Sequence, residues 1–152
     1  VPLTLRLRTL KLKRIGRRMP VELRDEVYRE MVLLRRRMPD VDGSVACSVD
    51  GLVIAGDMAG SVEQTGALSS ALLALSRRMT GLIGKGALEE TLISGTNGYA
   101  AFYAAGPKIV LAVTARPGTN LGLLRLEGRR TAANLAAIGE RMSATPKPST
   151  TQ

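Results

Sequence analysis

Residues 62–83 read VEQTGALSSALLALSRRMTGLI, and within them Leu68, Leu72, Leu75, Met79 and Leu82 recur in steps of four and three, the spacing of one helical face. Small residues at Ala67, Ser70, Ala71 and Ala74 form a second stripe beside it. At about 100° per residue the two stripes leave only a narrow polar face around Ser69, Ser76, Arg77 and Thr80. A helix apolar over so much of its girdle has to be covered on more than the side that meets its own sheet. The chain has 152 residues, the size of one domain, so the expected cover is a second protein chain. The competing arrangement places another helix of the same chain there. An uncovered patch of that extent invites aggregation, which favours an interface.

The flanking sequence supplies a sheet for this helix. Residues 21–38 place Leu23, Val27, Met31, Leu34 and Met38 on one helical face, with Pro20 at the entry and Pro39 at the stop. Arg35, Arg36 and Arg37 fall in its last turn, where cations oppose the negative end of the macrodipole; they read as a solvated helix end. GSVACSV and LVIAG follow as two β-prone runs joined by Asp50-Gly51, a dipeptide suited to a type I′ hairpin, with 52–55 expected to be buried on both faces. After Gly84-Lys85-Gly86 come three more strand-like runs, 88–94, 99–104 and 109–114, with turns at Asn97-Gly98 and Gly106-Pro107. The last run, IVLAV, suits a central strand. A final helix is capped by Asn120 and carries Leu121, Leu124, Leu135, Ile138 and Met142, with Gly128 and Thr131 allowing close approach to the sheet or to the first helix. The predicted order is α-β-β-α-β-β-β-α, an α/β chain of the α+β type with a five-stranded, mostly antiparallel sheet flanked by three helices.

The formal charge of +9 is concentrated at one end. Residues 1–18 hold seven cations (Arg6, Arg8, Lys11, Lys13, Arg14, Arg17 and Arg18) and no acid, so only +2 belongs to residues 19–152. Three readings of this stretch stand side by side. It is foreign to the domain, with Met19-Pro20 as the natural start; it is a flexible basic arm drawn to anionic lipid or phosphate; or it docks as an extra strand, since Leu3, Leu5, Leu7, Leu10 and Leu12 alternate with polar residues. It contains no aromatic residue on which bases could stack, so no specific nucleic acid is expected as a partner. Residues 143–152, SATPKPSTTQ, read as a disordered tail, which leaves 19–142 as the domain. The single cysteine, Cys47, lies in an alternating apolar run and reads as a small buried hydrophobe in a reducing compartment. With no apolar run long enough to span a bilayer, the expected location is the cytoplasm.

Composition also narrows the chemistry. The absence of histidine removes the usual general base and metal ligand, and one cysteine does not make a cysteine-based zinc site. Glu89 and Glu90, adjacent on a predicted strand, should point to opposite faces and so not share a substrate. Gly84-Lys85-Gly86 lacks both the first glycine and the Ser or Thr of a phosphate loop, and reads as a turn. No catalytic, cofactor or metal site is expected, and neither binding nor hydrolysis of GTP by the chain itself.

Three stretches, VDGSVACSVDGLVIAGD, GALSSALLALSRRMTGLIGKGALEETLISGTNGYAAFYAAG and IVLAVTARPGTNLGLLRLEGRRTAANL, resemble the roadblock (dynein light chain roadblock) family in the form common in actinobacteria, over residues 21–142. The resemblance implies a roadblock/profilin-like fold and a non-enzymatic homodimer joined through the third strand and the second helix. It further implies a small Ras-like GTPase bound near the paired helices, and a membrane sensor-kinase-like protein among the associated partners, so that membrane association would come through partners. Carried onto this chain, the dimer or partner interface comprises Ala67, Leu68, Ala71, Leu72, Ala74, Leu75, Arg78 and Met79 on the helix, with Leu88, Leu92 and Ile93 on the pairing strand. Two features depart from the family pattern: the basic arm, and Glu89 and Glu90, which would repel their mates if directly opposed across a two-fold axis. The rival functions are a small-molecule sensor module and an anionic-surface binder acting through the arm.

Overall fold

A computed structural model of the chain describes residues 19–143, so the predictions for 1–18 and 144–152 lie outside the described residues. The elements are α1 (Val21–Arg37), β1 (Val41–Ser48), β2 (Val53–Asp57), α2 (Val62–Leu82), β3 (Thr91–Gly95), β4 (Gly98–Ala105), β5 (Ile109–Ala115) and α3 (Leu121–Ser143). This is the predicted order. The five strands form one antiparallel sheet in the spatial order β2-β1-β5-β4-β3, which leaves β2 and β3 at its edges.

Strand alternation divides the sheet into two faces. On β5, Ile109, Leu111, Val113 and Ala115 point to a core shared with α1 and α3, whereas Val110 and Ala112 point to α2. On β4, Ala101, Tyr103 and Ala105 join the first core and Phe102 the second. β5 is buried on both faces from Ile109 to Val113, as its continuous aliphatic sequence predicts. The run 52–55 behaves differently: β2 is an edge strand, and of these residues only Ile54 is buried. A short apolar run does not distinguish a central strand from an edge strand lying under a helix.

α1 and α3 lie antiparallel on the first face, pinned by polar contacts along their seam. The Arg37 guanidinium donates to Glu127 at 2.8 Å and to the Thr131 hydroxyl at 3.2 Å, and Asn134 donates to Glu30 at 3.0 Å. Arg141 pairs with Glu26 and holds that carboxyl below its usual range. Arg35 reaches Asp57 at 3.2 Å. Two of the three terminal arginines of α1 therefore tie the helix to its neighbours rather than decorating a solvated end. Gly128 meets the ring of Tyr103, which a Cβ would approach to 2.6 Å, so this glycine sets the distance between α3 and β4.

The β1–β2 loop corrects the type I′ expectation. Gly51 alone takes a positive φ, +84°, while Asp50 does not. Gly51 N–H donates to the Ser48 carbonyl at 2.9 Å, and Ser48 N–H to that of Leu52 at 2.8 Å. The result is a three-residue loop, Val49-Asp50-Gly51, with glycine in the left-handed position. Ser48 ends the strand, and its hydroxyl accepts from Leu52 N–H at 3.2 Å and closes this loop.

Candidate functional site

Alone on the second face, α2 starts at an N-cap where Ser61 Oγ accepts from Gln64 N–H at 3.2 Å. The side it turns to the sheet is Gly66, Ser69 and Leu73. Gly66 sits over Cys47, whose thiol donates to the Gly66 carbonyl at 3.4 Å, and burial pushes that thiol up to about 12. Leu73 completes a small core with Cys47, Phe102, Val110 and Ala112. Ser69, placed on the polar face by its residue type, is buried and satisfies itself by donating to the Thr65 carbonyl. Two small residues at the sheet side permit close approach of the helix axis, and this outweighs the pull of the larger aliphatic side chains.

The consequence is that the leucine stripe faces away from the sheet. Leu68 is 70% exposed, Leu75 62% and Leu82 84%, and Met79 and Ile83 are also exposed. Leu72 is half-buried and packs against the second core, as Leu88 does. Ala67, Ala71, Ala74 and Arg78 are all exposed. Neither α1 nor α3 covers this surface, because both belong to the other face of the sheet.

The two stripes of α2 have different neighbours. Ala67 borders Gly51, and Ser70 Oγ donates to the Val49 carbonyl, so the small-residue flank lies toward the β1–β2 loop. Leu72 lies on the opposite flank and packs against the second core, as does Leu88, which precedes β3 in the chain. On β3, Leu92 and Ile93 are both exposed on an edge strand. Leu92 pairs with Ala101 of the first core and Ile93 with Ala100 of the second, so the strand offers an apolar side chain to each face of the sheet. The strand is shorter than the predicted 88–94: Leu88, Glu89 and Glu90 precede it.

That shortening changes the two glutamates. Instead of pointing to opposite faces, both reach α3: Arg129 contacts Glu89 at 2.8 Å and Glu90 at 3.8 Å, and Arg125 pairs with Glu90. Glu90 also lies near Tyr103, whose phenol is pushed up to about 12, first by burial and then by that carboxylate. Sequence reasoning missed this cluster, although the i, i+4 arginines of α3 and the paired glutamates are complementary charges.

Gly84 and Gly86 take φ of +69° and +85°, so the segment is the turn the sequence suggested. Among the described residues no helix is long and apolar enough to cross a membrane.

Comparison with known proteins places this arrangement. The Roadblock/LC7 domain family matches residues 28–115. An uncharacterised protein of Methanocaldococcus jannaschii is 37% identical over 112 residues, covering 72% of this chain and 94% of its own. Among solved structures, a Roadblock/LC7 domain from Streptomyces avermitilis superposes with a TM-score of 0.67 at 24% identity, covering 76% of this chain and 97% of that one. A structure of MglB in a tetrameric arrangement gives 0.72 at 19% identity, covering 79% and 92%. With the family match spanning more than half of its length and the strand order and helix placement described above, the chain belongs to the Roadblock/LC7 domain family.

Proposed function

We propose that two copies of the chain pair through α2 and the free edge of β3, and that the paired α2 layer engages a small Ras-like GTPase as an adaptor or regulator, without catalysing a reaction itself. The observation that carries this reading is the exposure of Leu68, Leu75 and Met79 on α2 and of Ile93 on the edge strand, large aliphatic side chains that no part of the described chain covers. A monomer seldom leaves a helix with so many large aliphatic side chains in water. An exposed edge strand beside it offers unpaired backbone groups to a second strand.

The two flanks of α2 divide the work. The leucine flank, toward β3, forms the contact between copies; the alanine flank, with Arg77 and Arg78, stays outside and meets the GTPase. Arginine at the rim of an apolar patch contributes to partner choice and association rate more than to affinity. Glu89 and Glu90 do not oppose this pairing, since Arg125 and Arg129 of the same copy already neutralise them. In this reading residues 19–142 are the working domain, the protein acts in the cytoplasm, and any membrane link runs through a sensor-kinase-like partner.

Sedimentation equilibrium tests the pairing. The chain is expected to be dimeric at micromolar concentration and Leu75→Arg monomeric but folded; a wild-type chain that is a folded monomer there overturns the reading. Capture of a small GTPase loaded with GDP or GTP, by wild type and by Arg78→Glu, tests the partner. Equal capture by the two proteins would remove the outer flank from the contact.

A further inference from the structure

α2 does not cover the whole of its side of the sheet. It enters over β2, where Val62 packs on Gly56, and crosses Cys47 at Gly66. The corner beyond, where the end of β3 meets β4 and β5, is left as an open hollow of about 650 Å³. Ala100, Gly98 and Thr114 form its floor, with Ile93 and Gly95 on one side and Met58 and Ala59 on the other. Asp42, Thr96 and Asn97 also line it, and the Thr114 hydroxyl donates to Asp42 at 2.6 Å. Between these polar groups Met58, Ala59, Ile93 and Ala100 offer an occupant apolar surface.

We propose that the hollow receives Ile83, with Leu82 beside it, from the end of α2 of a second copy. This rests on the pairing described under Proposed function. Strands related by a two-fold axis along a shared edge run antiparallel, so the start of one β3 lies beside the end of the other. The end of β3, Gly95, lines the hollow; the start, Thr91, follows Ile83 by eight residues. The second copy's α2–β3 connection is therefore delivered to this corner, on the side of the sheet where both α2 helices lie. Leu82 is the most exposed large apolar side chain of the described chain, at 84%, and Ile83 is 54% exposed; neither has a seat in its own copy. The turn at Gly84 and Gly86 directs the chain away immediately after them, and Glu89 and Glu90 hold its far end on α3. The apolar tip of the helix is left projecting between two fixed points. Each copy thus supplies one tip and one hollow, and the pair of contacts lies at the ends of the interface, away from its two-fold axis.

Disulfide trapping tests this directly. Cys47 is buried and serves as an inert background thiol. In the double variant Ala59→Cys, Ile83→Cys, mild oxidation is expected to give a covalent dimer linked between positions 59 and 83, identified by peptide mass, while neither single variant gives that link. Ile83→Asp is expected to weaken the dimer roughly tenfold or more, as loss of a buried anchor does, and Ile83→Leu to restore it. A dimer that persists by sedimentation, does not form the link and tolerates Ile83→Asp overturns the proposal while leaving the pairing intact. A wild-type chain that stays monomeric overturns both.

Discussion

On the α1 and α3 side of the sheet Val27, Met31, Leu34, Leu124 and Leu135 are fully shielded from water, whereas on the α2 side one leucine, Leu73, is buried and the helix's other large aliphatic residues are partly or largely exposed. The same five strands therefore carry a finished face and an unfinished one. Two helices with a polar seam close the first; a single helix set down on small residues closes only a strip of the second. The difference teaches where each kind of free energy would reside: folding stability is concentrated on the finished face, and the pairing proposed above draws on the unfinished one. A substitution should reveal its side by which of the two quantities it moves.

The largest expected effect is on the closed face. Leu135→Ala removes a fully buried side chain where α1, α3 and the sheet meet, and should destabilise the fold by about 2–5 kcal/mol, read as a lower urea midpoint. If stability scarcely changed, the contrast between the faces would fail. Gly128→Ala pushes a methyl group to within 2.6 Å of the Tyr103 ring and should cost about 1–3 kcal/mol by the same measurement.

Alkaline pH should act next. Both Cys47 and Tyr103 are raised to about 12, so the native state keeps protons that the unfolded chain has already released. Their contribution is complete below the unfolded-state values of about 8.5 and 10 and disappears as pH climbs through those raised values. A series of unfolding curves should show stability declining over that window, and Cys47→Ala with Tyr103→Phe should flatten the decline. In the same window Cys47 should resist thiol reagents until the chain unfolds.

The smallest effect on folding is expected on the open face. Leu68→Ser and Met79→Ser should each alter the stability of the isolated fold by no more than about 0.5 kcal/mol while raising solubility and lowering self-association. A large loss of stability in a variant kept monomeric would mean that these side chains already have cover.

Much of the architecture was legible in the residues because period-2 and period-3.6 patterns report burial, and the cap at Asn120 has its own signature. Orientation was less legible. The stripe of leucines identified α2 as a helix with surplus apolar surface, yet the side seated on the sheet is marked by Gly66, Ser69 and Leu73, where smallness rather than hydrophobicity decides. The hairpin at Asp50-Gly51 shows a similar limit, since a dipeptide compatible with one turn is also compatible with another whose closing hydrogen bond comes from Ser48. Glu89 and Glu90 were misplaced because strand limits follow hydrogen bonding to a neighbour, which local composition does not encode.

Those two glutamates brace the first residues of an edge strand against a helix on the opposite side of the sheet. Whatever grips or displaces α3 near Arg125 and Arg129 therefore tugs on the margin where a second chain would attach. Opening that brace would loosen the rim while both cores stayed shut, which gives this small fold a handle on its outermost strand from behind.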